Sequence, residues 1–184
     1  MQRCREGDPA AFDALVRRWE RPVARILASV GGSSLGAAFD VEDLSQEVFL
    51  RVFNARNRYY NGSAFSTWLY RIAVNVARDA NRRNRTRQRT LESHRPDQSV
   101  IPDEAAGIVG RQEIENEVAA AVQSLPEKMR ESLMLKQFGE MTFAEVAQIL
   151  DVPTSTVKSR VHAALLRLRA ELQRRGVDQA ELKP

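Results

Sequence analysis

The amino-acid sequence predicts an all-α protein of two small helical domains joined by a flexible linker. Three observations carry that expectation. Ala, Leu, Arg, Glu and Gln abound, while the 9 glycines and 7 prolines gather where helices would start or stop. Apolar residues recur at three- and four-residue steps, the spacing of one helix face. Between Thr90 and Gly110 that periodicity gives way to Pro96, Pro102, Gly107, Gly110 and scattered polar residues, so the stretch is expected to be extended or disordered. The resulting divisions are 1–89, 90–110 and 111–184 of a 184-residue chain, which leaves each helical domain a thin core.

The first predicted helix starts at Asp8-Pro9, with Asp as N-cap and Pro at the first helical position. Phe12, Leu15, Val16, Trp19, Val23, Ile26, Leu27 and Val30 form its apolar stripe, which Pro22 is expected to kink or divide. A second helix spans about Val41 to Phe53. Val41, Leu44, Val48, Phe49, Val52 and Phe53 fill one arc, and Asp43, Gln46, Glu47 and Leu50 gather on the other. An apolar residue centred in a polar stripe points to a partner surface, a hydrophobic contact ringed by charge.

The third helix, about Phe65 to Arg83, is expected to bury Phe65, Trp68, Leu69, Ile72, Ala73, Val76 and Ala80. Opposite them Arg71, Asn75, Arg78 and Arg82 align at steps of four, three and four. Guanidinium forks match phosphate oxygens and an amide can read a base edge, so the row suits nucleic acid. Tyr59, Tyr60 and Asn61 in the preceding loop add aromatics on which unpaired bases stack.

Beyond the linker, Pro126 starts a helix with Met129, Leu133 and Phe138 on its apolar face, and Gly139 ends it. Thr142 and Glu145 have capping-box spacing, which opens a helix to about Leu150. Asp151-Val152-Pro153 makes a turn in which Asp tolerates the left-handed conformation. The last helix carries Val157, Val161, Leu165, Leu168 and Leu172 inward, leaving Ser155, Lys158, Ser159 and His162 outward near its start. That is helix-turn-helix geometry, with the second helix offering its first turns to a major groove. Arg160 and Arg167 lie on a flank suited to phosphates.

Charge supports a polyanionic partner. The chain holds 28 Lys and Arg against 24 Asp and Glu, a formal net charge of +4, unevenly placed. Arg82, Arg83, Arg85, Arg87 and Arg89 form a basic block, the stretch from Glu92 to Glu117 is acidic, and Lys158 to Arg175 is basic again. Other classes are excluded. The longest uncharged stretch, Ile26 to Phe39, is 14 residues long and broken by Gly31, Gly32 and Gly36, too short to span a membrane. No secretory signal follows Met1. One cysteine and two distant histidines, His94 and His162, make no disulfide framework and no structural zinc site, so a reducing cytoplasm is expected.

Two runs carry a specific resemblance. Asp43-Leu44-Ser45-Gln46-Glu47-Val48-Phe49-Leu50 resembles region 2.2 of sigma-70 family factors, and Phe65-Ser66-Thr67-Trp68-Leu69-Tyr70-Arg71-Ile72-Ala73-Val74-Asn75 resembles regions 2.3–2.4. Leu125-Pro126-Glu127-Lys128-Met129-Arg130 and Glu145-Val146-Ala147-Gln148-Ile149-Leu150 through Arg160 are similar to region 4, and the whole looks most like the small extracytoplasmic-function class. The resemblance implies a region 2 helical bundle and a region 4 helix-turn-helix. It places Asp43, Gln46, Glu47 and Leu50 on the beta-prime clamp helices of core RNA polymerase. Tyr59, Tyr60, Asn61, Arg71, Asn75, Arg78 and Arg82 go to a melted minus-ten element. Ser155, Lys158, Ser159, Arg160 and His162 go to a duplex minus-thirty-five element, with region 4 also meeting the beta flap.

The same resemblance implies a separate anti-sigma protein, no catalytic residues, no metal and no cofactor. Family members usually carry several residues before a Gly-Asp-Pro-like start, which leaves open whether the native chain starts earlier than Met1. Asp151 stands where many such turns carry glycine. Two readings stay open beside this one. An autonomous helix-turn-helix repressor or activator predicts a dimerisation helix and leaves the Asp43/Leu50 face without a role. An enzyme acting on nucleic acid lacks a metal-ligand cluster, a Ser/His/Asp arrangement or a phosphate loop.

Overall fold

The computed structural model describes residues 1–31, 41–59, 64–92 and 111–177. Among them every regular element is helical: α1 (Gln2–Arg5), α2 (Pro9–Gly31), α3 (Val41–Ala55), α4 (Phe65–Glu92), α5 (Arg111–Gln123), α6 (Glu127–Phe138), α7 (Phe143–Leu150) and α8 (Thr154–Arg174). A single 3-10 turn, Arg56–Arg58, follows α3.

Asp8 caps α2 as its spacing predicts. Its Oδ1 accepts the Ala11 amide at 3.2 Å, and its Oδ2 accepts Arg3 Nε and Nη2 at 3.0 and 2.7 Å. The Arg3 guanidinium first, and then the helix amides, hold the Asp8 carboxyl below the usual carboxylate range. The short α1 lacks a periodic sequence signal; it packs beside α2 and is followed by a turn at Gly7, whose φ of +85° suits glycine.

Pro22 does not divide α2, which runs unbroken through it. Val23, Ile26, Leu27 and Val30 directly after the proline are all 0% exposed. Burying four such side chains stabilises by about 1.5–3 kcal/mol each, against roughly 3 kcal/mol for an interior proline, so packing outweighs the missing amide bond. The third predicted helix is also longer than its apolar stripe suggests. Thr90, Leu91 and Glu92, expected in the linker, belong to α4. No glycine or proline interrupts Phe65–Glu92, and its arginines and glutamine are good helix formers. The remainder of the predicted linker lies outside the described residues.

The core is continuous. Leu44, Val48, Phe49 and Val52 of α3 and Leu69, Ala73, Val76 and Ala80 of α4 close on α2, and the same cluster extends through Leu133 and Leu135 of α6 into Val146, Val157 and Val161. Helix α6 explains how. Six consecutive residues, Arg130 to Leu135, are buried, which a helix packed on one side cannot achieve. It is sandwiched, with α2 on one side and α7 and α8 on the other. A second, smaller cluster of Ala121, Leu172 and Val177 ties α5 to the end of α8.

The helix-turn-helix follows its punctuation. The Glu145 amide donates to Thr142 Oγ1 at 3.2 Å and the Thr142 amide to Glu145 Oε2 at 2.8 Å, closing the capping box. Asp151 ends α7 in the left-handed conformation, φ 55° and ψ 53°. One assignment in α8 is corrected. Leu165, expected inward, is 51% exposed, and Ala164 is buried in its place. The inward face runs Val157, Val161, Ala164, Leu168, Leu172, so one shorter step lets it follow the 3.6-residue turn.

Candidate polymerase and nucleic-acid surfaces

The outward face of α3 is built as its wheel predicts, with one addition. Asp43 and Gln46 are exposed, and Leu50 is 59% exposed among them. Glu47 is half-buried and accepts Arg51 Nε at 2.7 Å, while Arg51 Nη1 reaches Asp79 of α4 at 3.2 Å. This bridge locks α3 to α4 and fixes the direction in which Leu50 points. Beside it the helices leave an open groove of about 640 Å³, floored by Phe12, Val16 and Phe49 and edged by Leu50 and Phe53. Phe53, assigned to the core from its position, is 41% exposed and meets Phe12 edge-on at 5.2 Å. The groove draws one wall from α2 and one from α3, so no single-helix wheel contains it.

The basic row of α4 diverges. Asn75 and Arg82 face solvent, Arg82 donating only to Asp79 on its own helix at 3.1 Å. Arg71 and Arg78 instead meet the other half of the chain. Arg71 Nη2 donates to the Gln148 carbonyl of α7 at 2.6 Å, and Arg78 forks onto Glu131 of α6 with Nε and Nη2 each at 2.7 Å. The bond to Glu131 raises the Arg78 pKa further above its ordinary value. Arg85, one turn-pair further along, donates to Glu127 at 3.0 Å.

Tyr59 is 8% exposed, its ring 5.2 Å from Trp68 and 5.8 Å from Phe65. It anchors the start of the loop on α4. Tyr60 and Asn61 lie outside the described residues.

On α8, Ser155, Lys158, Ser159 and His162 are exposed along its first turns, and Arg160 is half-buried on the flank. Ser159 Oγ donates to the Thr156 carbonyl at 2.9 Å. Lys158 Nζ sits 6.0 Å from the Phe143 ring centroid, a long cation–π contact at an exposed position. Among the described residues no carboxylate pairs with Lys158, Arg160 or His162.

The chain is similar to known proteins along most of its length. The family model described as Sigma-70 region 2 matches residues 15–87, and that described as Sigma-70, region 4 matches residues 115–168. The chain is 30% identical to the ECF RNA polymerase sigma-E factor of Escherichia coli (strain K12) over 180 residues, covering 89% of this chain and 87% of that protein. It is 29% identical over the same shares to the RNA polymerase sigma-H factor of Pseudomonas aeruginosa. Its fold is shared by CnrH, solved in complex with the cytosolic domain of CnrY, at a TM-score of 0.67 and 24% identity over 94% of each chain. It is shared too by the sigma factor RpoE of Bartonella quintana, solved with the anti-sigma factor NepR, at a TM-score of 0.64 and 21% identity over 87% of this chain and 97% of that one.

Proposed function

Because the chain belongs to the sigma-70 family of RNA polymerase sigma factors, in its extracytoplasmic-function class, we propose that it recruits core polymerase through α3 and selects promoters through α4 and α8. In this reading residues 1–89 bind core and open the minus-ten element, 111–184 bind the minus-thirty-five duplex, and 90–110 connect them. Asp43, Gln46, Glu47 and Leu50 form the polymerase contact with the beta-prime clamp helices. Arg71, Asn75, Arg78 and Arg82, with Tyr60 and Asn61, engage the melted strand, while Tyr59, expected among the stacking aromatics, is buried at 8% exposure and serves to anchor the loop. Ser155, Lys158, Ser159 and His162 read base edges, Arg160 a phosphate, and region 4 also meets the beta flap.

The observation that carries the reading is Leu50, 59% exposed at the centre of an acidic helix face and next to an apolar groove. A large apolar side chain held in water by a rigid helix is a contact awaiting a partner. The protein works in the cytoplasm with polymerase and DNA and performs no catalysis itself; no described helix is long and apolar enough to cross a membrane. An anti-sigma protein governs its availability, a reading supported by the Bartonella quintana relative, which was solved with one.

The test is Leu50→Asp. It should abolish capture of core polymerase and promoter-dependent transcription while the helical circular-dichroism spectrum stays that of the parent. Binding of core equal to the parent's would sink the assignment of α3.

A further inference from the structure

Four side chains join the outward face of α3 to the solvent side of α4 as a chain of alternating charge. Glu47 Oε1 accepts Arg51 Nε at 2.7 Å, Arg51 Nη1 donates to Asp79 Oδ2 at 3.2 Å, and Arg82 Nη2 donates to Asp79 Oδ1 at 3.1 Å. The ends of this chain are a residue assigned to core polymerase and a residue assigned to promoter DNA. The middle two, Arg51 and Asp79, belong to neither assignment, and each is divided between two partners. Arg51 splits its guanidinium between two carboxylates, holding Glu47 closer than Asp79, and Asp79 gives one oxygen to each of two arginines. The Glu47 carboxylate first, and Asp79 after it, outweigh burial and raise the Arg51 pKa above its ordinary value, so the guanidinium stays charged whichever partner it serves.

We propose that Arg51 and Asp79 are positioning residues that link the polymerase surface to the DNA surface. When a cationic side chain of the polymerase takes Glu47, Arg51 turns its fork onto Asp79, because a guanidinium and a carboxylate pair best with two parallel bonds. Asp79, with both oxygens on Arg51, then yields Arg82 to a phosphate. The inference rests on the assignments of Glu47 to core polymerase and Arg82 to the promoter strand. Linkage makes the effect reciprocal, so a strand held by Arg82 tightens the hold on core by the same factor. Its size is modest, since Arg51, Asp79 and Arg82 are 38%, 36% and 80% exposed and solvent screens each pair.

The experiment uses the full chain with saturating core polymerase and reads promoter affinity, with the helical circular-dichroism spectrum expected to stay the parent's at these part-exposed positions. Arg51→Gln removes the cation that competes for Asp79, which then falls back on Arg82, so promoter affinity should drop about two- to fivefold. Asp79→Asn breaks the same bond between α3 and α4 but frees Arg82, so it should not lower affinity, and adding Arg51→Gln to it should change nothing further. Arg51→Gln should also have no effect in an Arg82→Ala background. A plain staple between the helices predicts an equal loss for Arg51→Gln and Asp79→Asn, and a general loss of positive charge predicts that Arg51→Gln acts in every background; either result would overturn the proposal. The second readout is the affinity of the chain for core with and without a single-stranded oligonucleotide carrying the minus-ten element of a promoter it transcribes. The oligonucleotide should tighten core binding by a factor about two- to fivefold smaller in Arg51→Gln than in the parent, and an equal factor would overturn the link. Arg82→Ala alone tests the reading beneath. Parent affinity for the promoter in that variant would remove Arg82 from the DNA contact and the proposal with it, whereas a weakened Arg82→Ala beside a silent Arg51→Gln would overturn the proposal and leave the DNA contact standing.

Discussion

On α4 the guanidinium of Arg78 is engaged by a buried carboxylate 2.7 Å away, whereas on the first turns of α8 Lys158 and His162 stand exposed with no carboxylate among the described residues paired to them. The two helices read alike as strings of basic residues. What separates them is the neighbour each face meets. Helix α4 lies against α7 and, through its arginines, against α6, while α8 turns only its inner face to α6 and α7. The same contrast recurs within α8. Its far end returns to paired charges, where Arg175 reaches Glu171 and Glu117 at 2.8 Å each and Arg174 reaches Glu171. A bare basic face and a satisfied one therefore carry different physical meaning. Bare cations contribute affinity for a polyanion directly; satisfied ones must first give up a partner.

The strongest way to break this contrast is to remove one cation from each helix. Arg78→Ala leaves the Glu131 carboxylate without its guanidinium, and because Arg78 is itself 39% exposed the cost falls below the roughly 3–5 kcal/mol of a fully buried pair. The ceiling is the free energy of parting the halves, which would hydrate the carboxylate. Lys158→Ala, at an exposed position with no ionic partner, should change stability by no more than about 0.5 kcal/mol. Urea unfolding followed by circular dichroism compares them. Equal midpoints would mean that the Arg78–Glu131 bond stabilises nothing.

A second test concerns specificity. Replacing Ser155, Lys158, Ser159 or His162 by Ala should change which upstream duplex is preferred, by roughly 1–3 kcal/mol per lost base contact. Arg160→Ala should lower affinity evenly across sequences, because a phosphate contact carries no sequence information. Selection from randomised upstream DNA reads the difference. The same motif recovered with all four face variants would remove base reading from α8.

The contrast between α4 and α8 also marks how far sequence reasoning reaches. The punctuation of the longer helices was legible. Asp8 as a cap, Thr142 with Glu145 as a capping box and Asp151 as the left-handed turn residue each depend on a few adjacent positions, and each stands as its spacing predicts. Pro22 stays inside an unbroken helix because packing by other elements decides it, whereas Leu165 faces outward because uniform four-residue steps drift off the 3.6-residue turn. The Arg78–Glu131 bond joins residues 53 positions apart, and nothing in either segment signals the other. The groove beside Leu50 escaped for the same reason, since it needs α2 and α3 side by side.

A third prediction sharpens the division within α4 itself. Arg82 is 80% exposed and, among the described residues, its guanidinium pairs with Asp79 on its own helix, so it stands open to DNA. Arg82→Ala should lower the salt slope of promoter binding by about 0.7–0.9 units of log K per phosphate lost and leave the scattering of the free chain unchanged. Arg78→Ala should alter both. If Arg82→Ala expands the chain, the solvent-facing and paired halves of the row are not separate.

The smallest expected effect lies in the cap that sets α7, and through it the entry angle of α8. The Thr142 amide, and secondarily its hydroxyl, hold the Glu145 carboxyl below its usual range. A carboxyl depressed in the folded state contributes stability that is present above its unfolded pKa, about 4.3, and is lost as pH falls through the lowered folded value. Glu145 is exposed, so the contribution is modest, about 0.3–1 kcal/mol for an anion at a helix N-terminus. Glu145→Gln should therefore melt at a lower temperature than the parent near neutral pH, and the two melting temperatures should converge as the solution is acidified below the ordinary carboxylate range. The difference between parent and variant isolates this one group from every other carboxylate, Glu131 included. A gap that persists unchanged into acid would mean that the glutamate acts through its shape, bonding Thr142 as a neutral acceptor, and that its charge does not help to aim the recognition helix.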